Sequence, residues 1–403
     1  MELKKGYKRT EIGVLPEEWT IVTYGDAFDL LSTATYSRAF QVKGGAVKYI
    51  HYGDIHTKFD HFLFAESGEL PTIPQDLRKS YTYVQHGDIV MADASEDYEG
   101  VGKSVEVVNP NANPIIAGLH TYLLRDTDEN FADGFRAYIS EGSLVKGAFQ
   151  RLQTGMKVFG VSKANLVTIP IPVPPKPEQR AIAQTLQDVD QLLQALEQRL
   201  AKKEAIKRGA MQRLLTPGEG WEESQLQYLV DIVMGQSPNS IYYNTEEAGL
   251  PLIQGNADIK NRESIRRTWT SIASKKCRKG DLLLTVRAPV GHIAIASFDS
   301  CLGRGVCSIQ PHSVDKKYLY YCLIHLEENW LKLEQGSTFT SANSEQIGQL
   351  EVAYPDRQIQ TQIATILTDF DTELDRLRDR LHKYRQLKRG LMQQLLTGKI
   401  RLV

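Results

Sequence analysis

The stretch Lys207-Arg208-Gly209-Ala210-Met211-Gln212-Arg213-Leu214-Leu215-Thr216 returns as Lys388-Arg389-Gly390-Leu391-Met392-Gln393-Gln394-Leu395-Leu396-Thr397. The match runs upstream without a gap. Pro174 falls on Pro355, Ile182-Ala183 on Ile363-Ala364, Asp188-Val189-Asp190 on Asp369-Phe370-Asp371, and Arg199-Leu200 on Arg380-Leu381. Roughly 20 of about 43 positions are identical, far beyond chance for an internal repeat.

Both copies read as long helices. Ile363, Leu367, Phe370, Leu374, Leu377, Leu381, Tyr384, Leu391 and Leu395 follow alternating steps of four and three, interrupted only at Lys388. Ile182, Leu186, Val189, Leu193, Leu196 and Leu200 do the same, and Ala210 and Leu214 resume the series after Lys203 and Lys207. This is the a/d seam of a coiled coil. Pro177 suits a first helical turn, Asp356 is a good N-cap, and Pro217-Gly218 and Gly398 supply the stops. About 40 residues at ~1.5 Å each make a rod of roughly 60 Å. A seam needs a partner, and the other copy in the same chain is the simplest one. The seams alone leave parallel and antiparallel pairing open.

Upstream of each helix lies a segment the size of one ordinary domain. Each opens near a tryptophan, at Pro16-Glu17-Glu18-Trp19 and Gly218-Glu219-Gly220-Trp221. Tyr49-Ile50-His51-Tyr52-Gly53-Asp54-Ile55 compares with Leu252-Ile253-Gln254-Gly255-Asn256-Ala257-Asp258-Ile259. Gly87-Asp88-Ile89-Val90-Met91 compares with Gly280-Asp281-Leu282-Leu283-Leu284, each reading as a Gly-Asp turn before a buried strand. The helices are close copies, whereas the domains match only at framework positions. Scaffold helices carrying two domains that read different things would look like this.

Composition bounds the rest. The chain has 403 residues and a formal net charge of −1, with no apolar run near the ~20 residues of a membrane span and no signal-peptide core at its start. A cytoplasmic protein is expected. Near neutrality argues mildly against a DNA binder. However, Lys260, Arg262, Arg266, Arg267, Lys275, Lys276, Arg278 and Lys279 face only Glu263 within residues 260–279. Such a local basic face can grip a phosphate backbone. Cys277, Cys301, Cys307 and Cys322 form no C-x-x-C pair and read as reduced, mostly buried thiols. Gly102-Lys103-Ser104 imitates the end of a phosphate loop, but Asp97 stands where the first glycine is needed, beside acidic Glu96 and Glu99. Gly235-Gln236-Ser237-Pro238 lacks the second glycine of a nucleophile elbow. Neither a catalytic triad nor a metal set is legible by spacing, which favours a binding protein over an enzyme.

The order of these features resembles the specificity subunits of Type I restriction–modification systems. The residues that carry the resemblance are Thr10-Glu11-Ile12-Gly13-Val14-Leu15-Pro16-Glu17-Glu18-Trp19, the exit Ile169-Pro170-Ile171-Pro172-Val173-Pro174-Pro175 with Glu178-Gln179, and the two Leu-Leu-Thr helix ends. Gly235-Gln236-Ser237-Pro238 and Thr285-Val286-Arg287-Ala288-Pro289-Val290-Gly291 also look typical of that family. The first domain departs there, with Ser32-Thr33-Ala34-Thr35 and Ala92-Asp93-Ala94-Ser95 in those places.

The resemblance implies an α+β fold with a pseudo-two-fold internal repeat: two globular target recognition domains separated by two long helices that pair as an antiparallel coiled coil. The divisions are 1–173 (first recognition domain with the N-terminal segment), 174–216 (central spacer helix), 217–354 (second recognition domain) and 355–403 (C-terminal spacer helix and tail). It implies a non-catalytic subunit that binds double-stranded DNA, each domain reading half of a bipartite site. The helices would set the spacer and dock two methyltransferase subunits, and two restriction/motor subunits would join for cleavage. No cofactor is expected on this chain. S-adenosylmethionine, ATP and Mg belong on the partners, as does base flipping. The alternative is a Type II-like system whose partner fuses methylase and nuclease.

Base reading needs polar side chains on exposed loops, and backbone positioning needs basic and hydroxyl groups. The candidates in the first domain are Tyr36, Ser37, Arg38, His51, Tyr52, Asp93, Ser95, Tyr98, Lys103 and Lys157. Those in the second are Gln236, Ser237, Asn239, Tyr242, Arg262, Arg266, Arg267, Arg287, Arg304, Ser341 and Asn343.

Overall fold

The computed structural model describes residues 3, 5–67, 70–74, 81–109, 111–336 and 341–402. The polar stretch that follows Gly336, at 337–340, and the chain ends at 1 and 403 lie outside the described residues. The chain forms two compact units, one of Met1–Leu196 with Arg380–Val403, the other of Glu197–Asp379. The central helix Lys176–Leu214 and the C-terminal helix Arg357–Leu395 each contribute to both units. Asp356 caps the second as its residue type predicts, with Oδ1 accepting the Ile359 amide at 2.9 Å.

In the first unit the strand Ile89–Ala92 lies between Ser104–Val108 and Thr121–Arg125, antiparallel to both, in a five-stranded sheet. A second, three-stranded sheet pairs Val47–Ile50 in parallel with Ile115–Ala117. In the second unit Leu282–Thr285 lies between Ile293–Ile295 and Val306–Pro311, again antiparallel to both. There Leu250–Ile253 runs parallel to Ser300–Leu302. Both central strands are wholly buried, which explains their unbroken apolar sequence. Each follows the expected turn. Gly87 and Gly280 take φ of +81° and +85°, and Asp88 and Asp281 accept the Gln85 and Arg278 amides at 2.7 and 2.9 Å.

Backbone hydrogen bonds set the correspondence between units residue by residue. Gly118 and Gly303 donate to the Ile50 and Ile253 carbonyls, both at 2.8 Å. Val161 and Ala342 donate to Asp93 and Val286 at 3.0 and 2.9 Å. Ala34 and Gln236 donate to Ala117 and Leu302 at 2.8 and 2.9 Å. Ala92–Ser95 therefore does stand where Thr285–Ala288 stands. The other sequence match shifts by one residue: Thr33–Tyr36, not Ser32–Thr35, occupies the place of Gly235–Pro238. Ladder register decides this, because Leu31 pairs with Leu123 where Val233 pairs with Ser308.

The same glutamine anchors each helix start to its own unit. Gln179 and Gln360 are buried and donate to the Pro174 and Pro355 carbonyls, both at 2.8 Å. Their Oε1 atoms accept the Ala132 and Asp315 amides, both at 2.7 Å. Gln360→Leu should cost about 1–3 kcal/mol by orphaning the Asp315 amide. Hydrogen exchange there should accelerate, and unaltered protection would remove the anchoring role.

Within each unit the helices run antiparallel. In the second, Lys203 meets Glu373 while Lys207 meets Asp371. In the first, Asp190 of the central helix meets Lys388 of the C-terminal one. Two of the lysines that interrupt the apolar seams, Lys207 and Lys388, are thus the partners of the repeated aspartates. Tyr138 donates to Asp190 at 2.8 Å and Tyr321 to Asp371 at 2.7 Å. Lys388 also donates to His61, whose pKa burial and then Lys388 push down to about 3, so that its neutral ring accepts. The four cysteines are free thiols and buried.

Candidate nucleic-acid interface

In the second unit, strand ends that are remote in sequence converge. The Arg304 amide donates to Ser237 Oγ at 3.0 Å, and Gln236 donates to Leu302. The Val286 amide donates to Gly305, and Arg287 bridges Ser341. Glycines permit this closeness. A Cβ on Gly235 would lie 2.1 Å from the Gly303 carbonyl oxygen, and one on Gly305 equally near that of Gln254. Gln236, Asn239, Tyr242, Arg287, Arg304, Ser341 and Asn343 are exposed on this assembly, and Ser237 is half-buried. Asn239 and Asn343 cap short helical turns through their side chains, accepting the Ile241 and Gln346 amides at 3.1 and 2.8 Å. The guanidiniums of Arg287 and Arg304 have no hydrogen-bond or ionic partner among the described residues. Two exposed, uncommitted fork donors on neighbouring loops are what a phosphate or a guanine edge requires.

The other three arginines are committed inside the unit. Arg262 grips Glu327 with both terminal nitrogens at 2.6 and 2.8 Å. Arg267 donates to the Ala257 carbonyl at 3.0 Å, and Arg266 lies over the Phe298 ring at 4.7 Å.

The first unit places different chemistry on the same frame. By the hydrogen-bond correspondence Leu119 and Ala94 stand where Arg304 and Arg287 stand. His51 stands in place of Gln254, and His120 in place of Gly305. His51 is buried, caps the helix Tyr52–Thr57 and accepts the Gly53 amide on Nδ1 at 3.2 Å. Burial, then Arg38, lowers its pKa and keeps it neutral. The Tyr52 ring lies tilted against His51 at 4.6 Å and meets the rings of His120 and His56 edge-on at 5.5 and 6.3 Å. Asp93 approaches His120 Nδ1 to 3.3 Å, and burial raises its pKa. Lys103 donates to the His56 carbonyl at 3.3 Å, and burial lowers its pKa.

The remaining first-unit candidates divide by exposure. Ser37, Arg38 and Lys157 are exposed. Tyr36 is half-buried against Phe40 and Tyr81. Tyr98 is exposed with its hydroxyl donating to Gln150 at 2.8 Å, whereas Ser95 is buried and accepts the Asp97 amide at 3.2 Å. The phosphate-loop imitation dissolves, because Ser104 opens a strand rather than a helix and its hydroxyl bonds Ser140 at 2.9 Å.

Sequence reading passed over His56, His120, Gln254, Asn256 and His292. His292 Nδ1 meets Asn256 Oδ1 at 2.7 Å beside the arginine loops. No spacing rule unites these residues, since ladders between distant segments bring them together. Among the described residues there is no cluster able to hold a metal, and no helix is long and apolar enough to cross a membrane.

Comparison with known proteins agrees with this architecture. The model of the Type I restriction modification DNA specificity domain matches residues 16–208 and again 218–383. The MjaX type I restriction enzyme specificity subunit of Methanocaldococcus jannaschii is 27% identical over 421 residues, covering 99% of this chain and 97% of that one. A solved structure described by complex assembly and conformational transition of the type I R-M system matches at a TM-score of 0.65 and 21% identity. It covers 96% of this chain and 99% of its own. The S subunit of a Type-I restriction-modification system from M. genitalium matches at 0.59 and 16% identity, covering 98% of each chain. With both halves matched, the chain belongs to the Type I restriction–modification DNA specificity family.

Proposed function

We propose that the two units read two different halves of one asymmetric, bipartite site in double-stranded DNA, as the non-catalytic specificity subunit of a Type I restriction–modification complex. The observation that carries this reading is the contrast at matched framework positions. Uncommitted Arg287 and Arg304 stand in the second unit where Ala94 and Leu119 stand in the first, while His51 and His120 replace Gln254 and Gly305. A shared hydrogen-bond frame holds different donor and acceptor sets, as two sequence readers require. The paired helices set the unread spacer between half-sites and dock two methyltransferase subunits, which carry S-adenosylmethionine. Two restriction/motor subunits, using ATP and Mg, complete the cleaving assembly.

Methylome sequencing of the host with and without this chain tests the reading. Loss of one bipartite methylated motif is expected, and an unchanged methylome would overturn it. In the second unit, Arg287→Ala should cost about 1–3 kcal/mol or relax one base position. Binding to every single-base variant of the mapped half-site, at one fixed salt concentration, measures this. Unaltered affinity and discrimination would remove Arg287 from the reading set.

A further inference from the structure

The first unit gathers three imidazoles around one tyrosine ring, beside a half-buried carboxylate. This arrangement has no counterpart among the described residues of the second unit. His51 is neutral and fixed, since its Nδ1 accepts an amide. His56 Nε2 meets the Ala94 carbonyl at 2.9 Å. His120 differs from both: 52% of its side chain is exposed, its Nδ1 faces Asp93, and no hydrogen-bond partner holds its Nε2 among the described residues. Its φ of +56° sits in the left-handed region, where the turn before the strand Thr121–Arg125 turns the ring outward.

Resting on the reading above, we propose that His120 is a specificity-determining DNA contact of the first unit. Asp93 acts as its positioning residue, and the contact is made by the imidazolium. The ligand chemistry is a base-edge acceptor, the N7/O6 edge of guanine. Binding through the first unit therefore tightens as pH falls, while binding through the arginines of the second unit does not respond.

The charged and titratable groups around His120 support this direction. Asp93 faces its Nδ1 from the neighbouring strand end. Tyr52 meets its ring edge-on, and His51, which itself senses Arg38 and Asp54, lies on the same side. Tyr122 of the strand that follows it lies beside Asp93. Only the imidazolium donates from both nitrogens at once, to Asp93 through Nδ1 and to a DNA acceptor through Nε2. Affinity is then greatest at low pH and falls as pH rises. Binding should be about tenfold tighter at pH 6 than at pH 8, the range over which histidines in general gain and lose their proton. Arginine stays charged throughout.

The test uses the full chain with its methyltransferase partner and a duplex carrying the motif mapped by methylome sequencing. Affinity is measured from pH 6 to 8 at one salt concentration. His120→Asn, a residue that tolerates positive φ, should flatten the pH response and lose discrimination in the first half-site only. Asp93→Asn should move the response to lower pH without abolishing it. Retained discrimination in the second half-site shows that each variant is folded. A full pH response in His120→Asn, or none in the unaltered chain, overturns the His120 assignment while leaving the two-reader function standing. An unmoved profile in Asp93→Asn overturns the positioning role. Absence of sequence-specific binding at every pH brings down the function itself.

Discussion

Glu178→Ala is expected to destabilise the first unit by about 3 kcal/mol, because it removes a buried carboxylate that two donors share. Glu178 is fully buried. One carboxylate oxygen accepts Trp19 Nε1 at 2.9 Å, and the other accepts Arg401 Nε at 2.5 Å. Arg401 also reaches Glu18 at 2.8 Å. One carboxylate thus joins the start of the central helix to residues near both ends of the chain. Removing it leaves the indole N–H of a wholly buried tryptophan without an acceptor and strips Arg401 of its inner partner. For about 200 residues this corresponds to a melting shift of roughly 10 °C. Glu178→Gln keeps an acceptor for the indole and loses only the charge, so its effect should be about half as large. Calorimetry with hydrogen exchange mapped onto residues 1–196 measures both. A loss under about 0.5 kcal/mol for alanine would show that the carboxylate is dispensable.

The second large effect concerns the aspartates that the repeat conserves within itself. Asp190→Ala should cost about 3 kcal/mol, because the buried Tyr138 hydroxyl loses its acceptor and Lys388 keeps only the neutral His61 ring as a partner in the seam. Asp371→Ala should cost a similar amount in the second unit through Tyr321 and Lys207. The pairs are related by exchange, with the aspartate of one helix taking the lysine of the other. Reversing one pair completely, Asp190→Lys with Lys388→Asp, should recover part of the loss of either single reversal. A polar pair in an otherwise apolar seam costs stability, but it penalises every other register, since a slipped helix would bury an unpaired charge. If the double reversal were no more stable than the single ones, the pair would not fix register. The two tyrosine hydroxyls would then account for the whole effect.

These predictions mark where sequence reading stopped. The helices were legible because their signals are local and periodic: a heptad series, an aspartate N-cap and glycine stops. Lys207 and Lys388 were visible only as interruptions of that series. Their role depends on Asp371 and Asp190, which lie 164 and 198 residues away along the chain. The Gly-Asp turns and the buried strands behind them were legible for the same local reason. The match of the first domain to Gly235–Pro238 came out one residue off, because strand register depends on a partner strand and the sequence carries no mark of it.

The candidate interface divides along the same line. Residue type singled out Arg262, Arg266, Arg267, Arg287 and Arg304 alike, yet three of them are engaged inside the unit and two are uncommitted. His120 escaped notice because an isolated histidine in a loop carries no pattern.

By itself, the sequence determined that this protein is one unit written twice, with like helices and unlike domains. Repetition and periodicity are properties of the chain. Tertiary structure decided which charges pair inside the fold and which remain available to a ligand. That division is made by ladders and packing between segments far apart in the chain, where each buried polar group must find a partner and only the surplus faces outward.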